Sequence, residues 1–462
     1  MKKIKDLLNI NYDIDIYGIV DDSRYVNDGY IFVATKGFNV DHYDYIEDAI
    51  KNGCVFLVVD RKINIDFPHI IVDNIDTFYK DLCIKYYDID LSYHHFIGIT
   101  GTDGKTTTAT IVNRIIDNSS YIGTNGFTIN NKTISTNNTT PCINDLYSYL
   151  KICEEKNISN TVMEVSSEAL LHNRVDNLKY DIVAFTNVTG DHLNIHGSFD
   201  NYLESKLKLI NLVKDNGIVI INGDDVNLHK IKHCNLYTFG FNSDNYFTIT
   251  NVYYMSKNVL IDVKYEDNTI TIESPLIGRH NVYNVVLAYI IGYLYGVSSE
   301  VLIDKIRHLS SISGRCELLN FGQDYTIVLD YAHTVNGISN ILDSFKNYKR
   351  IITVTGCAGG REKEKRSLIG DLIIKNSDVS IFTMDDPRFE NVDDIIDDMV
   401  GNSTDYIRIV NREKAITYAL SIADSDSVVL ILGKGRDNYM AVGDKKIKYN
   451  DYDVIKKYFT ES

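Results

Sequence analysis

Short apolar runs recur along the chain and alternate with stretches of helical spacing. In the first 90 residues the runs are 16–20, 29–34, 54–59 and 69–72, and residues 45–51 have helical spacing. This alternation is typical of α/β domains, in which the apolar runs are buried strands. It predicts a small α/β domain over residues 1–90.

The same alternation continues through two further segments. In the middle of the chain the buried-strand runs are 161–165, 181–186 and 218–222, followed by an alternating antiparallel meander over 245–275. After about residue 312 the runs are 325–330, 350–355, 379–383 and 427–432, with helical stretches at 337–345 and 411–422. We therefore predict an α/β protein of three domains with boundaries at 1–90, 91–311 and 312–462, the last Rossmann-like.

The densest candidate chemistry follows the apolar fragment His95-Phe-Ile-Gly-Ile99. It reads Gly98-Ile-Thr-Gly-Thr-Asp-Gly-Lys-Thr-Thr-Thr108 and runs into a helical stretch. Glycines let backbone N–H groups approach a phosphate, the helix N-terminus attracts the anion, and Lys105 adds a point charge. Thr106 is placed as the magnesium-binding hydroxyl of a P-loop is, but Ile99 stands where that motif needs glycine. The pattern predicts a P-loop-like, phosphate-binding central domain.

Two strand ends in the same domain carry groups that suit a metal ion. Glu164 lies inside a buried-looking run, where a carboxylate is costly unless it is paired or bound to a metal. His192 follows the next run, in Asp191-His-Leu-Asn-Ile-His196. A single histidine is more often structural, but carboxyl ends of parallel strands converge beside the phosphate loop. We expect Glu164 and His192 to form a magnesium-phosphate site.

The strands of the last domain end in loops rich in charged residues: 330–333, 356–366, 384–388 and 433–437. The basic residues there predict capture of an anionic, carboxylate-bearing group. In the N-terminal domain Asp22-Ser-Arg24 and residues 36–42 lie at strand ends, where binding loops and plain surface turns are equally good interpretations.

Composition limits the partners. The formal net charge of −16 argues against general nucleic-acid binding, so an anionic substrate needs local basic clusters. The seven cysteines are scattered without metal spacing, as in a reducing compartment. The first residues lack the apolar core of a secretion signal, and no apolar run approaches membrane-spanning length. We expect a cytoplasmic protein, monomeric, with small-molecule substrates and neither nucleic-acid nor membrane partners.

The motifs together resemble the Mur ligase family, most closely its UDP-N-acetylmuramoyl-tripeptide synthetases (MurE type), over essentially the whole chain. In order, they are Asp22-Ser-Arg24, Gly101-Thr-Asp-Gly-Lys-Thr106, Asn138-Thr-Thr-Pro141, Met163-Glu-Val-Ser-Ser167, Thr186-Asn187, Asp191-His-Leu193, Tyr202-Leu-Glu-Ser-Lys206, Gly278-Arg-His-Asn281 with Asn284, Gly314-Arg-Cys-Glu317, Asp330-Tyr-Ala-His-Thr334, Gly359-Gly-Arg361 with Lys365-Arg366, Asp385-Asp-Pro-Arg388 and Gly433-Lys-Gly435. A dozen motifs in register make the resemblance specific.

The resemblance implies an ATP-dependent ligase of peptidoglycan synthesis. Such an enzyme adds the third amino acid to UDP-N-acetylmuramoyl-L-alanyl-D-glutamate. ATP phosphorylates the terminal carboxylate, the incoming amine attacks the acyl phosphate, and phosphate leaves. The protein then has to gather anions and stabilise their charge.

The resemblance also implies roles for individual residues. ATP would be bound by Gly101, Thr102, Asp103, Gly104, Lys105, Thr106, Thr107, Asn281, Asn284, Arg315 and Asp330. Magnesium would be bound by Thr106, Glu164, His192 and Lys206, the last as a carbamate, since an ammonium has no lone pair. Lys105, Glu164, His192 and Lys206 would form the catalytic set. The UDP-muramoyl substrate would contact Ser23, Asn138, Thr139, Thr140, Ser166 and Arg174.

The amino-acid pocket implied by the resemblance consists of Arg361, Asp385, Asp386, Arg388, Gly433 and Asp437. Asp386 replaces the asparagine that is usual in diaminopimelate-adding enzymes, and Arg436 replaces a histidine. Arg388 favours meso-diaminopimelate, whose distal carboxylate it can bind in bidentate fashion. The extra charge of Asp386 keeps L-lysine and ornithine open as alternatives.

Other readings of the sequence remain. A folylpolyglutamate-type ligase or a paralogue with another acceptor would share the ATP core, although Asp22-Ser-Arg24 and Asn138-Thr-Thr140 favour a UDP-muramoyl substrate. The missing first glycine disfavours an ordinary P-loop kinase or GTPase. The intact Lys105, Glu164, His192 and Lys206 disfavour an inactive homologue.

Overall fold

The computed structural model describes residues 1–10, 12–36, 41–255 and 258–460. The first elements along the chain are β1 (Lys2–Lys3), α1 (Ile4–Leu8), β2 (Asp15–Ile16), β3 (Gly18–Val20), β4 (Tyr30–Val33), α2 (Ile46–Lys51), β5 (Cys54–Val59), β6 (His69–Ile71) and α3 (Ile75–Tyr87). Of the N-terminal loop 36–42 noted above, residues 37–40 lie outside the described residues.

The central elements contain the glycine loop between a strand and a helix, as predicted. They are β7 (His95–Thr100), α4 (Lys105–Ile115), β8 (Ser119–Gly123), β9 (Gly126–Ile129), β10 (Lys132–Ile134), α5 (Ile143–Glu155), β11 (Asn160–Glu164), α6 (Ser167–Leu171), β12 (Tyr180–Phe185), α7 (Leu193–His196), α8 (Phe199–Leu207), β13 (Val213–Asn222), β14 (Leu236–Gly240), β15 (Phe247–Tyr254), β16 (Val259–Tyr265), β17 (Asn268–Ser274), α9 (Arg279–Leu294) and α10 (Ser299–Arg307).

Over residues 326–432 the last elements of the chain alternate between strand and helix. They are β18 (Glu317–Leu319), β19 (Thr326–Asp330), α11 (Val335–Phe345), β20 (Arg350–Thr355), α12 (Glu364–Asn376), β21 (Val379–Phe382), α13 (Val392–Val400), β22 (Ile407–Arg408), α14 (Arg412–Ser421), β23 (Ser427–Leu432), β24 (Tyr439–Val442), β25 (Lys445–Lys448) and α15 (Asp451–Thr460).

Two compact units make up the chain. The first comprises residues 1–98, 118–183 and 208–217, and the second comprises 99–117, 184–207 and 218–462. In the first unit β3, β4, β5 and β6 form a parallel sheet in that order. Helix α2 covers this sheet with Ile46 and Ala49, which pack with Phe32 and Leu57. The first unit also contains the antiparallel strands β8, β9 and β10, with β11 parallel to β8.

The second unit contains the predicted meander and a helical layer. Strands β15, β16 and β17 are antiparallel neighbours, as residues 245–275 predicted, while β13, β14 and β15 pair in parallel. Helices α4, α9 and α10 pack against one another. Because α9 is buried along most of its length, its side chains are apolar almost all round.

The C-terminal elements of the second unit form a sheet in the order β18-β19-β23-β20-β21-β22, parallel except for β18. One face packs on α11, α12 and α13 through residues such as Ile338, Ile369 and Ile396. The other face packs on α14 and α15 through Ile416 and Ile455. This doubly wound arrangement places the loops after β19, β20, β21 and β23 at one edge of the sheet. No helix in the described part of the chain is both long and apolar enough to cross a membrane.

Candidate active site

The loop between β7 and α4 has a backbone shape that requires its glycines. Gly101 has φ +147°, and a Cβ there would lie 1.9 Å from Thr186 Oγ1. Gly104 has φ +86°, caps α4, and would bring a Cβ within 2.4 Å of Asn284 Oδ1. Side chains are excluded from both positions, so the backbone stays open at the start of the helix.

The residues that follow β12 hold this loop in place. Thr186 Oγ1 donates to the Asp103 carbonyl (2.6 Å), and Asn187 Nδ2 donates to the same oxygen (3.1 Å). Asn187 Oδ1 accepts from the Asp103 N–H (3.0 Å), and the Thr102 N–H donates to the Asn187 carbonyl (2.8 Å). Thr186-Asn187 was a motif without a role in the sequence, and the structure gives it one: it fixes the loop.

Two lysines converge on the loop. Lys105 Nζ donates to the carbonyls of Gly101 (2.9 Å) and Thr102 (2.8 Å), and Lys206 Nζ donates to the Gly101 carbonyl (2.7 Å). Lys206 is 2% exposed and lies 4.6 Å from the centre of the Tyr202 ring. Burial, with the charge of Lys105, holds the pKa of Lys206 well below its usual range. The lysine that sequence alone would place on a helix surface is in the site.

His192 lies at the start of α7 in the left-handed backbone region, with φ 55°. Its Nε2 is 3.5 Å from Asp191 Oδ2. Burial lowers the pKa of His192 to about 4 against the opposing effect of Asp191. Burial disfavours the charge of Asp191, but His192 and more distant basic groups outweigh it and lower the pKa of Asp191 to about 2. The imidazole is therefore neutral at pH 7, the form in which it can be a metal ligand.

An arginine in the loop that precedes β18 contacts the first residues of α4. Arg315 Nη2 donates to Thr106 Oγ1 (3.0 Å). The loop that carries Arg315 is held by Asp330, whose carboxylate accepts from the N–H groups of Cys316 (2.5 Å) and Ala332 (2.6 Å). Burial raises the pKa of Asp330. Arg315 thus contacts Thr106 directly, and Asp330 holds the loop that carries Arg315, all within the second unit.

Of the two asparagines of α9, Asn284 lies against the loop 101–104 and Asn281 contacts Asn284. Asn284 Nδ2 donates to Asn281 Oδ1 (3.2 Å), and Asn284 Oδ1 accepts from Thr108 Oγ1 (3.4 Å). Both asparagines are buried, as is Thr107. Their amides are therefore oriented by neighbours on α4 and α9.

In the first unit Glu164 is fully buried and well supplied with donors. Its Oε1 accepts from Tyr121 OH (2.5 Å) and the Thr124 N–H (3.0 Å), and its Oε2 accepts from Thr124 Oγ1 (3.3 Å). These hydrogen bonds offset part of the cost of burying the carboxylate. Tyr121 and Thr124 are contributors that sequence reasoning missed, since only the pairing of β8 with β11 brings them to Glu164.

Several expected substrate residues also meet in the first unit. Thr140 Oγ1 donates to the Glu164 carbonyl (2.8 Å) and accepts from the Ser166 N–H (2.9 Å). Arg174 Nη1 donates to the Thr140 carbonyl (3.3 Å), and the hydroxyls of Thr139 and Thr124 are 3.0 Å apart. Asn138 is exposed nearby in the sequence. Ser23 is buried in a turn whose first residue, Asp22, caps it.

The loops after β21 and β23 surround one buried lysine. Lys434, 1% exposed, has its Nζ 2.8 Å from Asp386 Oδ1, 3.7 Å from Asp385 Oδ1 and 3.7 Å from Asp437 Oδ2. Asp386 Oδ1 also accepts from the Ala441 N–H (2.9 Å). The charge of Asp386 is therefore paired inside the protein. Lys434 is a further residue to which the sequence analysis gave no role, although it lies within the motif Gly433-Lys-Gly435.

Asp437 differs from its neighbours in this cluster. Burial, reinforced by Asp385 and Asp386 against the effect of Lys434, raises the pKa of Asp437 to about 6. Gly433, with φ +110°, leaves room for Asp385, whose Oδ2 would be 2.6 Å from an added Cβ. The two loops are therefore packed closely enough to share one electrostatic environment.

Arg361 and Arg388 lie on adjoining loops and are both partly exposed. The Gly359 N–H donates to the Asp386 carbonyl (2.8 Å), which joins the Arg361 loop to the Asp385–Arg388 loop. Arg388 has φ 52°, and its backbone pairs with Ala441 (3.0 Å) and Gly443 (2.7 Å). The charge of Arg361 also contributes to the lowered pKa of His192.

The expected magnesium ligands include donor types that bind metals, but these side chains are not gathered into one cluster in the described residues. Over the described ranges 1–10, 12–36, 41–255 and 258–460, no group of three or more His, Cys, Asp or Glu side chains is placed to hold a metal ion. Of the four expected ligands only Glu164 and His192 are of these types, and oxygen-rich sets with a hydroxyl are the kind that magnesium accepts.

Comparison with known proteins identifies the family. Three family models match: the catalytic domain of the Mur ligase family at residues 15–86, the Mur ligase middle domain at 99–292 and the Mur ligase glutamate ligase domain at 314–435. A relative from Fusobacterium nucleatum named UDP-N-acetylmuramoyl-L-alanyl-D-glutamate–2,6-diaminopimelate ligase is 33% identical over 98% of this chain and 96% of its own length. The chain belongs to the Mur ligase family.

Solved structures agree at the level of the fold. A diaminopimelate ligase of the same name covers 100% of this chain and 99% of its own with a TM-score of 0.65 at 23% identity. The MurF ligase from Thermotoga maritima in complex with ADP covers 90% of this chain and 93% of its own with a TM-score of 0.66 at 20% identity. The predicted Mur ligase, with its three-domain α/β architecture, is confirmed, and as a member of this family the chain is an ATP-dependent ligase.

Within this Mur ligase the second unit contains all of the residues expected to bind ATP and the amino acid. The residues expected to contact the UDP-muramoyl substrate, together with Glu164, belong to the first unit. The role of each individual residue remains a prediction.

Proposed function

We propose that this Mur ligase adds meso-diaminopimelate to UDP-N-acetylmuramoyl-L-alanyl-D-glutamate in peptidoglycan synthesis. The geometric observation that carries the proposal is the contact of Arg315 with Thr106 (3.0 Å), which links the phosphate loop to the sheet that bears the amino-acid loops. The name of the Fusobacterium relative, 96% of whose length is matched, contains both substrates and supports their choice.

The chemistry needs an activated carboxylate. A carboxylate oxygen of the terminal D-glutamate attacks the γ-phosphorus of ATP, ADP leaves, and an acyl phosphate forms. The amine of the incoming amino acid then attacks the acyl carbon, loses a proton, and expels inorganic phosphate with the former carboxylate oxygen. Phosphate is a better leaving group than oxide, which is why ATP is spent.

The positive groups of the site suit this reaction. We propose that the loop 101–104, Lys105 and Thr106 bind the β- and γ-phosphates, with Arg315 adding a second cation at Thr106. Asp330 would then act by holding the Arg315 loop, and Asn281 and Asn284 would lie near the adenine. Donors that are fixed before the reaction stabilise the charge that spreads over the transferring phosphoryl group.

We propose that the Thr106 hydroxyl, the Glu164 carboxylate and the neutral His192 bind magnesium, since each is a donor type that can ligate a metal ion. When bound, it would neutralise phosphate charge. We further propose that Lys206 is carbamylated, because its family motif Tyr202-Leu-Glu-Ser-Lys206 is intact and its amine is buried against the Gly101 carbonyl. A carbamate would supply two oxygens where an ammonium supplies none.

The amino-acid pocket favours meso-diaminopimelate. Arg388 would take the distal carboxylate in bidentate fashion, and Arg361 would add a positive charge. Asp386, the residue that suggested a second ammonium, has its charge paired with Lys434 at 2.8 Å and therefore offers less to a lysine or ornithine substrate. Asp385, Asp437 and Gly433 would complete the pocket.

In the first unit Ser23 would contact the uracil nucleotide, and Asn138, Thr139, Thr140, Ser166 and Arg174 would line the muramoyl-peptide path. We propose domain boundaries at 1–90, 91–311 and 312–462, since each family-model match falls inside one of these ranges. We also propose that the enzyme acts as a monomer in the cytoplasm. ATP is available in that compartment, and free cysteines remain reduced there.

The direct test is release of inorganic phosphate from ATP with UDP-N-acetylmuramoyl-dipeptide and, separately, diaminopimelate, lysine and ornithine, with a sample lacking amino acid as control. We expect release with diaminopimelate well above the other two. No release with any of the three would overturn the proposed reaction. Preference for lysine or ornithine would overturn only the pocket assignment, and Asp386→Asn would then be tested for reversing it.

A folylpolyglutamate-type acceptor is the alternative that shares the ATP core. Its arm of the same assay replaces the UDP-muramoyl substrate by a folate with glutamate. Phosphate release there, with none in the UDP-muramoyl arm, would favour the alternative.

A further inference from the structure

Arg436 stands where the family motif has histidine, and its side chain makes an ion pair of a kind that histidine cannot make. Its Nε donates to Glu317 Oε2 (2.9 Å) and its Nη2 to Glu317 Oε1 (2.6 Å). The guanidinium also lies 3.5 Å from the centre of the Tyr452 ring. Two parallel hydrogen bonds and a stacked face leave the arginine little freedom.

The same ion pair joins two loops of the C-terminal sheet. Glu317 Oε2 also accepts from the Gly314 N–H (2.8 Å), so the carboxylate holds the loop 314–317. An added Cβ on Gly314 would lie 2.9 Å from Arg436 N, and one on Gly435 would lie 3.1 Å from the Gly314 carbonyl oxygen. The loop 314–317 and the loop 433–437 are therefore in direct backbone contact, with the ion pair across them.

Each of the two loops carries a residue of a different binding site. The loop 314–317 carries Arg315, which donates to Thr106 Oγ1 (3.0 Å) at the phosphate loop. The loop 433–437 carries Gly433 and Asp437 of the proposed amino-acid pocket. It also carries Lys434, whose Nζ is 3.7 Å from Asp437 Oδ2. Movement of one loop has to displace the Glu317–Arg436 pair or carry the other loop with it.

We propose that Arg436 and Glu317 are positioning residues that couple the amino-acid pocket to the nucleotide site. An amino acid that orders the loop 433–437 fixes Arg436, the pair fixes the loop 314–317, and Arg315 is held at Thr106. By linkage, the amino acid then tightens nucleotide binding and the nucleotide tightens amino-acid binding by the same factor. This inference rests on the proposed function, because it needs an amino acid in that pocket.

The measurement is the Kd of the full-length protein for ADP by calorimetric titration, with and without saturating diaminopimelate, or whichever amino acid supports phosphate release. We expect the amino acid to tighten ADP binding about fivefold or more in the unchanged protein. In Arg436→Gln and in Glu317→Gln the factor should fall close to one. In the double variant the coupling factor should be the same as in either single variant, since both substitutions remove the same ion pair.

Arg436→Lys keeps the charge but loses the bidentate geometry, so it should retain part of the coupling. Arg408→Gln is the matched control: Arg408 also pairs with two carboxylates, Asp393 and Asp397, and lies near the Tyr406 ring in the same sheet. It should leave the coupling factor unchanged. A thermal unfolding scan of every variant identifies any that is not folded, and the remaining folded variants of the pair then decide the outcome.

Coupling that persists in folded Arg436→Gln or Glu317→Gln would overturn the inference. A factor of one in an unchanged protein that releases phosphate would overturn it as well and leave the proposed function standing. Absence of phosphate release with every amino acid would instead be a failure of the proposed function. A variant that lost stability but kept the coupling would show that the pair is only structural.

Discussion

Lys206 lies where an ammonium is costly: it is 2% exposed, and its Nζ shares the Gly101 carbonyl with Lys105. Sequence gave no reason to look inside the protein for it apart from the family motif. The proposed carbamate would exchange the positive charge for a negative one and so remove the repulsion between two neighbouring cations.

Lys206→Ala should lower the rate of phosphate release by roughly a hundredfold or more, since a charged group of the transition-state environment is lost. Small carboxylic acids such as acetate should restore part of the rate by occupying the place of the carbamate. Lys208→Ala is the control, because Lys208 is exposed two residues further on and should keep full activity. If no carboxylic acid restores any activity, the carbamate loses its support.

Asp437 gives the site a pH dependence with a defined sign. Because its pKa is raised to about 6, the side chain is largely neutral below that pH and carries its charge above it. If the charge receives an ammonium group of the amino acid, the KM for diaminopimelate should fall about tenfold per pH unit as the pH rises toward 6, and it should level off above about 7. Initial rates from pH 5 to 8 measure this.

Asp437→Asn should have a high KM that does not vary across that pH range. A variant whose KM still falls with rising pH would show that another group titrates, and Asp437 would not be the receiving carboxylate.

Among the elements, the C-terminal sheet is held at its functional edge by the fully buried Arg412–Asp451 ion pair. Arg412 donates to both carboxylate oxygens of Asp451 (2.8 and 2.7 Å), to the Leu432 carbonyl (2.8 Å) and to the Met384 carbonyl (3.3 Å). Leu432 is the last residue of β23, and Met384 follows β21. Both carbonyls therefore lie where the loops of the amino-acid pocket begin. Both charged side chains are fully buried.

Asp451→Asn should lower the free energy of unfolding by about 3–5 kcal/mol, because it leaves the Arg412 charge buried without a counter-charge. Arg408→Met, which removes a partly exposed ion-paired arginine, should cost about 1 kcal/mol or less. Urea denaturation with the slope held constant measures both. Equal losses in the free energy of unfolding would mean that the Arg412–Asp451 pair does not hold this edge of the sheet together.

The periodicity predicted most of the elements well. The run 54–59 is β5, the run 427–432 is β23, the helical stretch 411–422 contains α14, and the meander at 245–275 is present. The run 16–20 is interrupted at Tyr17, which separates β2 from β3. The hairpin of β9 and β10 was not predicted, although Asn130 and Asn131, both at positive φ, are the residues that its tight turn favours.

At the scale of the whole molecule, sequence predicted which strand ends bear chemistry but not which side chains pair there. Arg315 and Asp330 were expected to act at the phosphate site: Arg315 contacts Thr106 directly, whereas Asp330 holds the loop that carries Arg315. The pairs Lys434–Asp386, Arg436–Glu317 and Arg412–Asp451 join residues far apart in the chain, and no local pattern marks them. Their positions follow from the order of strands in the sheet, which periodicity does not encode.

The central claim is that the γ-phosphate of ATP passes to the peptide carboxylate. The most direct test uses UDP-N-acetylmuramoyl-L-alanyl-D-glutamate with its glutamate carboxylates labelled with oxygen-18, together with unlabelled ATP and diaminopimelate. Mass spectrometry of the released phosphate should find one labelled oxygen per phosphate, carried over from the carboxylate when the amine expels it. Unlabelled phosphate formed together with the tripeptide product would contradict the acyl-phosphate route and with it this account of the site.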